Sequence, residues 1–284
     1  MEKLLIFDTE GIRSGLCYDL GVASIDREGN VYGTLSLVNG DIFEGRRDLM
    51  QTAHYKAKIP KYEEEIAKGI RKVVSFEEMK SKFAEFVEKY NTKKAFAHNI
   101  PYDYNSLNKT SLYLLGDNFF FPNGLTFYDT NTMTKQVVQN TPSYRKFCEK
   151  YNFLTSAGKP QTKAEIVYRY LSNNPNFVEE HTGLADVMIE KEILAYCYKK
   201  HKKMNGIYSN KEVCFTDFFY FAQKNLLTKP GGMCYNRSEN PLRPKNFTTP
   251  KPFCQALFRR KFAQNKSRNF VQFVRLYFRY NLLY

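Results

Sequence analysis

The chain opens with an apolar run, Leu4-Leu5-Ile6-Phe7, that stops abruptly at Asp8-Thr9-Glu10-Gly11. The run is long enough for one buried strand, and strand alternation sends Asp8 and Glu10 to the same side of it. A second apolar stretch, Tyr18 to Asp26, ends in the turn signal Asp26-Arg27-Glu28-Gly29-Asn30. Val31 to Val38 follows with partial alternation, so residues 18–38 predict a hairpin. Residues 41–72 are polar and mixed; they read as a partly ordered insertion near the sheet edge, with one candidate helix over Lys61 to Ile70. Helical spacing is clear from Phe76 to Tyr90, where Phe76, Met79, Phe83, Phe86, Val87 and Tyr90 form a stripe and Ser75 with Glu78 forms a capping box. Lys94 to Ala97 predicts a short strand, and Pro101 suits the first turn of the helix after it. A strand over Leu125 to Tyr128, a helix from Pro142 to Tyr151 and a helix from about Leu184 to Lys200 complete the pattern. Three strands followed by alternating helices and strands predict an α/β fold, a mixed sheet with helices on both faces. In such sheets the crevice lies at the strand ends, where Asp8, Asn99 and Asp129 fall.

Two carboxylates on one face of a strand repel each other and require a positive partner. Alone, Asp8-Thr9-Glu10 fits a solvated acidic turn equally well. The chain adds Asp103, one turn into the helix after the Lys94–Ala97 strand, and Asp186, near the start of the last helix, with His181 five residues before it. Four carboxylates on three segments can surround two cations about 3.5–4 Å apart, the separation of two-metal hydrolysis. Oxygen ligands favour Mg²⁺ or Mn²⁺ over zinc. A neutral imidazole at position 181 can take a proton from attacking water.

Together, Asp8-Thr9-Glu10, then His98-Asn99-Ile100-Pro101-Tyr102-Asp103, then His181-Thr182-Gly183-Leu184-Ala185-Asp186 resemble, in order and separation, the three motifs of the DnaQ-like (DEDDh) exonucleases. The resemblance covers roughly residues 1–200. It implies a ribonuclease-H-like mixed five-stranded sheet and a metal-dependent 3′–5′ exonuclease that releases nucleoside 5′-monophosphates from single-stranded ends. By position it implies that Asp8 bridges two Mg²⁺ or Mn²⁺ ions, that Glu10 and Asp186 bind the ion that holds the water, that Asp103 serves the second ion, and that His181 is the general base. Thr9, Gly11, Asn99 and Tyr102 would lie near the terminal nucleotide. Gly11-Ile12-Arg13, Gly183 and Tyr102 depart from the residues common in the family, but none of these departures removes a ligand. The His-Asn-x-x-Tyr-Asp form of the second motif resembles proofreading members and favours DNA. An oligoribonuclease-type RNA exonuclease and a non-catalytic nucleic-acid-binding or polymerase-accessory module are the alternatives. The expected partners are a single-stranded 3′ end and a DNA polymerase or other replication protein. His98 is expected to order its turn, and Asp129 to start a helix.

Charge divides the chain. Residues 1–210 hold 29 basic and 26 acidic residues, a surplus of three, whereas 211–284 hold 14 and 3, a surplus of eleven. The expected division is a catalytic domain over 1–205 and a basic, aromatic extension over 206–284, with a linker at about 229–253 marked by Pro230, Pro241, Pro244, Pro250 and Pro252. Basic and aromatic residues interleave from Phe258 to Tyr284, a composition that suits single-stranded nucleic acid, a docking helix or a tail of little evolved role. The six cysteines include no C-x-x-C pair, which argues against a zinc knuckle or a disulfide framework. With no apolar run of membrane-spanning length and no signal-like start, the expectation is a cytoplasmic protein without a membrane partner.

Overall fold

The computed structural model of the protein describes residues 2–200. The expected extension over 206–284 and its linker lie outside the described residues. Strands β1 (Leu4–Gly11), β2 (Cys17–Ile25), β3 (Val31–Asn39), β4 (Lys72–Val74), β5 (Lys94–Ala97) and β6 (Thr126–Asp129) form one sheet in the order β4-β3-β2-β1-β5-β6. The first three pair antiparallel, while β5 lies parallel to β1, β6 parallel to β5 and β4 parallel to β3. Without β4 this is the ribonuclease-H-like five-stranded order. The sixth strand is three residues long and caps the β3 edge. Its sequence, Lys72-Val73-Val74, is too short to carry alternation, so it reads as part of the polar stretch.

Helices cover both faces. On one side α4 (Phe76–Lys89) and α5 (Ile100–Leu115) pack Phe76, Met79, Phe83, Ile100 and Leu107 against Leu5, Phe7, Leu20 and Val22. On the other, α6 (Thr130–Val137), α7 (Pro142–Lys150), α8 (Ala164–Leu171) and α9 (Gly183–Lys200) bury Met133, Tyr144, Val167, Val187 and Ile193 against Leu4, Ile6, Ala23 and Ile25. Odd and even residues of β1 therefore serve opposite cores, as strand geometry requires. The Ser75 hydroxyl caps α4 by accepting from the Glu78 amide at 3.1 Å, as the capping box predicts. Among the described residues no helix is long and apolar enough to cross a membrane.

Residues 41–72 form regular elements rather than a partly ordered insertion, and the candidate helix over Lys61 to Ile70 is present, starting two residues earlier and ending three earlier. α1 (Gly40–Phe43), α2 (Arg47–Met50), a 3₁₀ turn over Lys56–Lys58 and α3 (Ile59–Ala67) bury Ile42, Phe43, Met50 and Tyr62. Phe43, Tyr62 and Tyr18 form an aromatic cluster beside β2. Few apolar residues, each large and fully buried, hold this segment, which is why its average composition looks polar.

The start of α9 rests on bare backbone. A Cβ at Gly21, in the middle of β2, would overlap the main chain of Gly183 and Leu184, and one at Gly183 would come within 2.6 Å of the Gly21 amide nitrogen. Glycine at both positions lets the helix descend onto the sheet. Gly21→Ala is expected to destabilise the protein by about 3 kcal/mol, since the obstacle is backbone rather than a movable side chain. The midpoint of chemical unfolding checks this, and an unchanged midpoint would show that the helix can lift at little cost.

Candidate active site at the end of the first strand

The end of β1 lies between the N-terminal turns of α5 and α9. Even residues of the strand face α9, so Glu10 meets Asp186 there. Odd residues face α5, so Thr9 meets Asp103. The Asp103 carboxylate accepts from the Thr9 amide at 3.0 Å and from the Thr9 hydroxyl at 2.8 Å. Thr9 is 3% exposed, and its side chain anchors this carboxylate. Glu10, His181 and Asp186 bring one ligand atom each to within 4.8 Å of one another, a group that can hold a metal ion. Asp8 is half-buried, and the charges that act on it most strongly are Asp103, Glu190, Glu10 and Asp186.

Crowding and burial set the electrostatics. Burial first, and then the neighbouring acids, push Asp8 well above the carboxylate range. Glu10 is raised to about 9 by burial and by Asp186. Asp186 is raised to about 8 by burial and by Glu179. Asp103 reaches about 7, because the Thr9 hydrogen bonds offset part of its burial. Asp186 Oδ1 is buried and has no hydrogen-bond partner among the described residues. Buried carboxylates that repel one another, with an oxygen left unsatisfied, are the donor set that a hard divalent cation neutralises. The residues fit such an ion.

His181 sits just before α9 with φ +52°, in the left-handed region. Its ring stacks on Tyr55, with centroids 4.0 Å apart and planes within 9°, and its Nδ1 lies 3.7 Å from the Glu179 carboxylate. Burial lowers its pKa, which keeps the imidazole neutral at physiological pH. Tyr102 is 37% exposed, and its hydroxyl would lie 2.6 Å from a Cβ placed on Gly11. The two form one shelf, with His54 edge-on to Tyr102 at 6.3 Å. Asn99 is exposed at the left-handed start of α5, and its amide donates to Asp129. Asp129 caps α6 as well, through Asn131 and Thr132. His98 is held between the Thr162 carbonyl and the Thr130 hydroxyl, and so orders its turn.

Two buried acids escaped the sequence reading. Glu190, one turn beyond Asp186 on the same face of α9, is 3% exposed and accepts from the His98 amide at 3.1 Å. Burial and Asp103 raise its pKa well above the ordinary value. The i,i+4 spacing from Asp186 was a legible signal. Asp19, fully buried in β2, accepts from the Tyr62 hydroxyl, from the Gly183 amide at 2.9 Å and from Arg71 at 3.4 Å. Its partners lie far away in sequence, so nothing local announces it.

No protein-family model matches the chain, and no curated protein sequence matches it. Among solved structures, Escherichia coli exonuclease I in complex with a dT13 oligonucleotide aligns at 12% identity over 70% of this chain and 42% of its own, with a TM-score of 0.43. The zinc-bound form of the E. coli exonuclease I–ssDNA complex aligns at 12% identity over 71% and 42%, with a TM-score of 0.45. Exonuclease I from Methylocaldum szegediense aligns at 14% over 72% and 42%, also with a TM-score of 0.45. The chain spans less than half the length of these neighbours.

Proposed function

We propose that the chain is a metal-dependent 3′–5′ exonuclease of the DnaQ-like (DEDDh) type, acting on single-stranded ends, with residues 1–205 as its catalytic domain. One observation carries the reading: carboxylates from β1, α5 and α9 converge at a single strand end, with a histidine beside two of them. A binding module has no use for acids packed against a phosphate backbone, because they repel it. Asp8, Glu10, Asp103 and Asp186 would hold Mg²⁺ or Mn²⁺. Bound there, such ions supply Lewis-acid stabilisation of the attacking and leaving oxygens.

The side chains divide the remaining work. His181 accepts the proton of the attacking water, a role open to a neutral imidazole. Thr9 fixes the carboxylate of Asp103 by two hydrogen bonds and so sets its orientation. Tyr102 presents a half-exposed ring beside Gly11, on which a terminal base can stack. Asn99 stands at the rim. DNA is the preferred strand in this reading, on the form of the second motif.

The test is a gel assay with 5′-labelled single-stranded DNA and RNA of matched sequence, in Mg²⁺, Mn²⁺ or EDTA. A ladder shortening from the 3′ end and lost in EDTA supports the exonuclease, and the faster strand names the substrate. Tight binding without shortening of either strand overturns it in favour of a nucleic-acid-binding module.

A further inference from the structure

The ordered segment 47–71 grips the loop that carries His181 at three points. Tyr55 stacks on the imidazole, Lys61 pairs with Glu180, and Tyr62 with Arg71 holds Asp19, which in turn accepts from the Gly183 amide. The segment is itself tied to the end of β1. The Arg13 amide donates to the Thr52 carbonyl at 3.0 Å, the His54 amide to the Gly11 carbonyl at 3.2 Å, and Ile12 bridges Ala53. Tyr55 is therefore fixed relative to Glu10 by a few residues of hydrogen-bonded backbone. Its own carbonyl accepts from the Lys58 amide at 2.8 Å, closing the turn beneath the ring.

His181 needs such support. A left-handed backbone is unfavourable for a residue with a Cβ, and it persists only where the surroundings over-determine it. The Gly183 bond fixes the main chain on one side of the histidine, but it leaves the imidazole free to turn about its side-chain torsions. The parallel ring of Tyr55 removes that freedom.

We propose that Tyr55 is a positioning residue, which holds the His181 imidazole by face-to-face stacking in the orientation that reaches Glu10 and Asp186. The inference rests on the reading of His181 as the general base. It assigns the inserted segment a purpose, which is to link the strand bearing the first carboxylates to the loop bearing the base.

The test uses the full chain with Tyr55→Phe and Tyr55→Ala. Steady-state kinetics on a labelled oligothymidylate in Mg²⁺ are combined with proton NMR of the histidine rings, the His181 signals being assigned by their loss in His181→Asn. The expected result is wild-type turnover in the phenylalanine variant. The alanine variant should lose at least tenfold in kcat with KM within twofold, and its His181 ring protons should lose the upfield shift that a ring stacked at 4.0 Å imposes. Unchanged kcat in the alanine variant, a loss borne mainly by KM, or an unmoved His181 signal each overturns the proposal. If the wild-type chain does not shorten DNA or RNA, the exonuclease reading falls, and the ring signals alone then decide whether Tyr55 holds His181.

Discussion

Asp8→Ala is expected to lower the rate of 3′ shortening by at least about a thousandfold, equivalent to roughly 4 kcal/mol of transition-state stabilisation. Asp8 interacts with the acids of both α5 and α9, so its loss removes charge coupled to both. Asp8→Asn should lose as much, because a neutral amide keeps the shape without the charge. Both variants should nevertheless fold at least as firmly as the wild type in EDTA. Each removes a half-buried carboxyl group crowded by neighbouring acids, and functional sites commonly trade stability for activity in this way. The gel assay gives the rate and thermal unfolding in EDTA gives the second arm. Retained shortening would remove Asp8 from the chemistry, and a collapsed midpoint would make it a structural residue.

The second large effect concerns pH and metal together. Without cations the carboxyl groups of Glu10 and Asp186 hold protons up to about 9 and about 8, while in the unfolded chain they release them near pH 4. A folded pKa raised in this way gives stability that is present at low pH and lost as pH rises through the folded value. Burial lowers the pKa of His98 and His181, which acts in the opposite sense but only below their ordinary value near 6.5. The window from pH 7 to 9.5 therefore excludes the histidines, and the buried thiols of Cys17, Cys148 and Cys197, whose pKa burial raises, add to the loss only above about pH 8.5. In EDTA the protein should lose on the order of 3 kcal/mol across it, a fall in melting temperature of about 10 °C. A divalent cation at a hundred times its dissociation constant should restore about 2.7 kcal/mol. Scanning fluorimetry at both ends of the window, with EDTA, Mg²⁺ or Mn²⁺, reads the effect. A flat profile in EDTA with no response to either ion would mean that the acids are held apart.

The three motifs were legible because each carboxylate stands where a strand or helix begins or ends, and such junctions leave marks in one dimension: Phe7 before Asp8, Pro101 before Asp103, Gly183 before Asp186. Strand alternation placed Glu10 on the face it occupies. The same rule sends Thr9 to the other face, where it meets Asp103 of α5. Asp19 and Tyr55 were out of reach for a different reason. Asp19 meets Tyr62 and Arg71 across more than forty residues, and Tyr55 meets His181 from an even greater separation, through a segment whose order depends on a handful of buried aromatic rings. Short elements such as β4 and α2 carry too few residues for a period to show.

The seam between Gly21 and Gly183 bears on how this chain can drift. Neither position can enlarge whatever residue holds the other, because the overlap is with main chain and no neighbouring side chain can shrink to compensate. The two glycines are thus each held in place by the same close approach of helix to strand. Substitution at either is penalised before any effect on chemistry is felt, and a bulkier third motif becomes reachable only after the helix has lifted off the sheet. That lift would carry Asp186 away from Glu10, so at this seam protection of the fold and protection of the site amount to a single selective constraint.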